Sequence, residues 1–171
     1  MDFSSQDIRV SLNVLLVTED LHTTQLVGRT LAGSRDELAI SNDLSDGLAK
    51  ALSEVPDIVL VDLGLGNNAG LAVVHHLRAL STTTAIYALT APHAFNLGPQ
   101  ALALGASGVL VLPLSGDEIA RTLATVRAQH AEHAERDHLQ QIAALAAFQP
   151  RSRNSPQRTH AVKRPIRSPH C

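Results

Sequence analysis

The stretch from Pro56 to Gly66 limits the possible folds more than any other part of this 171-residue chain. Ile58, Val59, Leu60 and Val61 form an unbroken apolar run that stops abruptly at Asp62. A run without polar alternation reads as a strand buried on both faces, as in a parallel sheet with helices on each side. Gly64 and Gly66 follow at once, so the backbone is free to turn just past the carboxylate. Asp62 then stands at the carboxyl end of a central strand, where open α/β sheets place their ligands. An Asp at such a position can also simply open a turn. The stretch alone leaves both readings open.

The rest of the chain repeats the alternation. Leu12 to Val17 is apolar except for Asn13 and reads as a first strand, ending in Thr18-Glu19-Asp20. A helix starting at Thr23 or Thr24 puts Leu26, Val27 and Leu31 on one face and ends at Gly33-Ser34. Glu37 to Ile40 reads as a second strand. Leu44, Leu48, Ala51 and Leu52 give a second helix that Pro56 closes from beyond. After the strand 58–61, the loop holds Gly64, Gly66, Asn67, Asn68 and Gly70. Leu71, Val74, Leu77 and Arg78 then mark a third helix. Ala85 to Leu89 is a fourth strand, ending in Thr90-Ala91-Pro92. The helix after it, weakened by Gly98 and Pro99, runs to about Leu104. Val109 to Leu112 is a fifth strand, stopped by Pro113. Ser115 and Glu118 form a capping box that opens a fifth helix with Ile119, Leu123 and Val126 inward.

Five strand–helix alternations predict an α/β three-layer sandwich with a parallel sheet, a (βα)5 unit. Right-handed crossovers leave few topologies, and the flavodoxin-like strand order 2-1-3-4-5 suits five units. Its switch point lies between strands one and three. That places Glu19 or Asp20 beside Asp62 and favours the ligand-site reading of Asp62.

Aromatic residues make up only 2% of the chain and Trp is absent, so the core must be aliphatic. The single cysteine, Cys171, rules out a disulfide framework and a cysteine-based metal site. No stretch approaches the ~20 apolar residues of a membrane span, and Met1 to Val10 lacks a signal-peptide layout. A cytoplasmic protein is expected. With no Gly-x-Ser-x-Gly and no Walker motif, an enzyme is not.

Charge is divided unevenly. Residues 1–137 hold all 16 acids and 8 bases, net −8, while residues 138–171 hold 6 bases and no acid, net +6. The fifth helix meets no breaker at the end of the domain. Leu139, Ile142, Ala143 and Ala146 continue an apolar stripe toward Phe148. The expected organisation is a domain at 1–130, a helical extension at 131–148 and a basic disordered tail at 149–171. The stripe needs a partner, either its own domain or a second copy in a homodimer through helix five and its extension. The tail can contact nucleic acid electrostatically, but it carries no interleaved aromatics for stacking on bases, and a merely solvated tail is the plainer reading. His130 and His133 can share a helix face with His138 farther round. A solvated surface explains them more simply than a metal site.

Val14 to Asp20, Pro56 to Gly70 with Asp62, Leu89-Thr90-Ala91 and Gly105 to Leu114 together resemble the receiver domain of two-component response regulators. The resemblance covers residues 12–130. It implies that Asp62 is the phosphoacceptor for a histidine kinase or phosphotransfer protein. It also implies that acids after strand one help to hold Mg²⁺, and that Thr90 hydrogen-bonds the phosphoryl oxygens. In the family a Lys after strand five pairs with those oxygens too. Cations matter because a carboxylate cannot easily attack an anionic donor while negative charges crowd together.

The chain departs from this pattern. Thr18 and Glu19 stand where the family has two acids, Leu112 where it has its Lys, and Val109 where an aromatic residue is common. A Lys–phosphoryl contact is a charge-assisted bond worth about 1.5–3 kcal/mol, which Leu112 cannot supply. Two expectations follow. Either Asp62 takes phosphate weakly, with Mg²⁺ held in a weakened site by Glu19, Asp62 and the Gly64 carbonyl, or the chain is a pseudo-receiver working without phosphotransfer.

Overall fold

The apolar runs become five parallel strands: β1 (Asn13–Val17), β2 (Glu37–Ser41), β3 (Ile58–Asp62), β4 (Ala85–Thr90) and β5 (Gly108–Val111). Their order is β2-β1-β3-β4-β5, the flavodoxin-like order. The helices are α1 (Leu21–Leu31), α2 (Leu44–Glu54), α3 (Gly70–Leu80), α4 (Leu97–Ala103) and α5 (Gly116–Ala147), with a 3-10 turn at Pro92–Ala94 before α4. These coordinates are a computed structural model, which describes residues 10–67 and 69–148.

The uninterrupted run in β3 has a direct cause. Ile58 and Leu60 face one aliphatic core with Leu12, Val14, Leu16, Val27, Ile119 and Val126. Val59 and Val61 face a second core with Leu15, Val17, Val73, Val74, Leu77 and Ile86. Successive side chains point to opposite faces of a strand, so a strand covered on both sides has no position to spare for a polar residue. All four are buried, and only Asp62, the last residue of β3, is partly exposed.

Several boundaries follow from local chemistry. Helix α1 begins at Leu21 rather than at Thr23 or Thr24, because Asp20 caps it by accepting from the His22 and Thr23 amides. Pro99 lies in the first turn of α4, where its missing N–H leaves no gap in the helix ladder. Helix α4 comes close to β5: a Cβ on Gly98 would lie 3.2 Å from Val109 Cγ1. The capping box opens α5 with both reciprocal bonds, Ser115 N to Glu118 Oε2 at 2.9 Å and Glu118 N to Ser115 Oγ at 3.2 Å.

The amino end of the sheet is tied by charge. Asp36 accepts from the Leu12 amide at 2.9 Å and from Arg127 of α5 at 2.9 and 2.7 Å. Arg127 Nε also donates to the Val10 carbonyl. Asp57 accepts from the Asn13 amide, and its other oxygen lies 3.5 Å from His130 Nδ1.

The structure divides into two units at Arg136. In the second, residues 137–148 are helical to Ala147, with Leu139, Ile142, Leu145 and Phe148 all exposed. The basic tail at 149–171, and the nucleic-acid contact expected of it, lie outside the described residues, as does the layout of residues 1–9. No helix among the described residues is long and apolar enough to cross a membrane.

Candidate functional site

Register brings the site together. Val17 pairs with Val61 and Asp62 with Leu89, so the residues that end β1 and β3 and the residue that ends β4 meet at one edge. Thr18 follows Val17 and is almost wholly buried. Its amide extends the ladder by donating to the Ser41 carbonyl at 3.0 Å. Its hydroxyl donates to Asp62 Oδ2 at 2.9 Å and accepts from the Asp20 amide at 3.0 Å. The other Asp62 oxygen, Oδ1, accepts from the Gly64 amide at 2.9 Å. Both carboxylate oxygens therefore have a protein donor.

Of Glu19 and Asp20, expected beside Asp62, neither is hydrogen-bonded to it among the described residues. The side chain that bonds Asp62 is Thr18. Asp20 is drawn away by the unpaired amides at the amino end of α1, which need an acceptor. Bonds from the Thr23 hydroxyl and then the Thr23 amide hold its carboxyl below the ordinary value of 3.8. Glu19 is exposed and makes no side-chain hydrogen bond among the described residues. Gly64 enters the site through its amide. Thr90 is buried, and its hydroxyl donates to the Ala94 carbonyl at 2.9 Å and the Ala91 carbonyl at 3.3 Å. It is thus engaged with the turn before α4. Leu112, partly buried, packs on the aliphatic core on the α1–α5 side.

Backbone also approaches closely at this edge. A Cβ on Gly70 would lie 2.5 Å from the Asp62 carbonyl oxygen and 2.7 Å from Leu63 Cα. Only glycine lets α3 begin this near to the end of β3.

With Thr18 in place of an acid, the oxygen donors left for Mg²⁺ at this edge are Asp62, the exposed Glu19 and the Gly64 carbonyl, one carboxylate fewer than the resemblance implies. Thr18 offers a hydroxyl already used twice, and Asp20 is committed to its helix. No cluster of three acid, His or Cys side chains among the described residues is arranged to hold a metal ion. Of the histidines of α5, His133 Nδ1 is 2.7 Å from the Gln129 carbonyl oxygen and His130 Nδ1 faces Asp57.

The sequence model of the response regulator receiver domain matches residues 14–124. The chain belongs to the response regulator receiver family. This receiver is 28% identical over 116 residues to the transcriptional regulatory protein ZraR of Salmonella typhimurium, covering 68% of this chain and 26% of that one. It is 32% identical over 118 residues to the response regulator ArlR of Staphylococcus epidermidis, covering 68% and 53%. The receiver thus spans only about a quarter to a half of these relatives' length. Among solved structures, chemotaxis response regulator CheY4 of Vibrio cholerae superposes with a TM-score of 0.62 at 27% identity, covering 68% of this chain and 99% of that one. NtrX of Brucella abortus gives 0.68 at 17% identity, covering 76% and 30%, a likeness of fold. The receiver is a module of two-component signalling.

Proposed function

We propose that this chain is an atypical receiver that acts through protein–protein contacts, with Asp62 a phosphoacceptor in a pocket that has lost most of its charge-neutralising partners. Its upstream contact is a histidine kinase or phosphotransfer protein. The observation that carries this reading is the Thr18–Asp62 hydrogen bond, which stands where the resemblance implies a metal-binding acid. Leu112 removes the cationic partner from the same pocket, and Thr90 is turned toward the Ala94 carbonyl. Phosphoryl transfer to Asp62 is therefore slow. Incubation with acetyl phosphate and Mg²⁺, followed by intact mass, tests this beside an Asp62→Asn control. Rapid, stoichiometric, Asp62-dependent labelling would sink it.

The exposed stripe of Leu139, Ile142, Leu145 and Phe148 supports self-association through the helical extension. Light scattering on the full chain and on a Leu139→Glu/Ile142→Glu variant checks this. A wild-type monomer at high concentration would refute it.

A further inference from the structure

We propose that Thr18 is a positioning residue that has turned Asp62 into a hydrogen-bond tie between the ends of β1 and β3, holding without a divalent cation. The proposal deepens the degraded-pocket reading and rests on it for the site's origin. Its warrant is a continuous chain of bonds. The Gly64 amide donates to Asp62 Oδ1, and the Thr18 hydroxyl donates to Oδ2. The Asp20 amide donates to that same hydroxyl, and the Asp20 carboxylate accepts from the first amides of α1. One series of contacts thus runs from the loop after β3 through the end of β1 into α1.

A hydroxyl is suited to the middle of this series because it donates and accepts at once. A carboxylate at position 18 could accept from Asp20 N but could not donate to Asp62. It would set two anions face to face, an arrangement that favours a bound cation. Threonine leaves one negative charge with two donors, and a bond from hydroxyl to carboxylate is charge-assisted. Burial sharpens the demand: Thr18 is 1% exposed, so a hydroxyl without partners there would have no water to turn to. The loop is moulded to the tie as well, since a Cβ on Gly64 would lie 3.3 Å from Asp62 Oδ1.

The test uses the full chain as wild type, Thr18→Ser, Thr18→Val and Thr18→Asp, melted in EDTA and in millimolar Mg²⁺, with amide exchange at Gly64 as a second readout. Wild type and Thr18→Ser should melt within about 1 °C of themselves in the two buffers, since an ion that does not bind the folded state does not shift melting. Thr18→Val should melt about 5 °C lower in both and exchange its Gly64 amide about tenfold faster. Thr18→Asp should melt low in EDTA and recover in Mg²⁺. A wild type or Thr18→Ser protein that melts several degrees higher in Mg²⁺ would overturn the proposal. So would wild-type Gly64 exchange in Thr18→Val. If Thr18→Val does not fold, the Mg²⁺ response of the first two proteins still decides. Fast acetyl phosphate labelling would instead defeat the degraded-pocket reading, so the two failures are separable.

Discussion

Removing Arg127 should cost this domain more than removing any other charged side chain of α5. Its partner Asp36 has a side chain only 3% exposed, whereas Arg127 is 32% exposed. Arg127 donates to both Asp36 oxygens and to the Val10 carbonyl, so Arg127→Ala leaves a nearly buried carboxylate with the Leu12 amide as its main donor. Breaking a buried ion pair by deleting one partner costs about 3–5 kcal/mol. Water reaches the guanidinium side, which lowers the figure to about 2–3 kcal/mol. For a domain of this size that is a fall in melting temperature of about 6–10 °C. The pH dependence has a definite sign. Burial alone would raise the Asp36 carboxyl, but the Leu12 amide and Arg127 outweigh it and hold it below the ordinary 3.8. A carboxyl lowered in the folded state contributes stability above its unfolded value and loses it as pH falls through the folded one. Arg127→Ala should therefore flatten the acid-side loss of stability below about pH 4. Urea melts of wild type, Arg127→Ala, Asp36→Ala and the double variant, run at neutral pH and near pH 3, measure both effects. The pair should show a coupling of about 1–3 kcal/mol. A coupling below about 0.5 kcal/mol, or an unchanged acid slope, would refute the reasoning.

Other perturbations have equally local causes. Val55 caps α2 at φ 45°, a left-handed conformation that a β-branched residue adopts only with strain, and it is exposed. Val55→Gly should raise stability by about 0.5–1 kcal/mol despite the entropy cost of glycine, read as a higher urea midpoint. Gly70→Ala should do the reverse, losing at least about 2 kcal/mol, because its Cβ meets backbone that cannot step aside. Asp20→Ala should cost about 1 kcal/mol as a lost helix cap, and thermal melts should show the same loss with or without Mg²⁺.

The fold was legible because each level of the sequence pointed the same way. The run in β3 announced a strand covered on both faces, and its residues do divide between two aliphatic cores. The capping box of Ser115 and Glu118 was readable because its spacing is its mechanism. The site was less legible. A carboxylate just past a strand end can face the pocket or cap the next helix, and Asp20 took the second role. Its place immediately before the helical pattern was the available signal. Thr18 was visible as a missing acid, but that its hydroxyl would bridge Asp20 N and Asp62 depends on three-dimensional register. The Arg127–Asp36 pair lies 91 residues apart in sequence, with no local pattern to join the two. Left-handed Val55 had no signal at all, since glycine and asparagine are the residues that mark such a position.

The most direct test of the degraded pocket is the rate of phosphoryl transfer to Asp62 before and after its missing charges are restored. Acetyl phosphate with Mg²⁺ is given to wild type and to a Thr18→Asp/Leu112→Lys variant, with Asp62→Asn as the blank, and labelling is followed by intact mass. A charge-assisted contact of about 1.5–3 kcal/mol predicts labelling at least about tenfold faster in the restored variant. Fast labelling of wild type, equal to that of the restored variant, would contradict it.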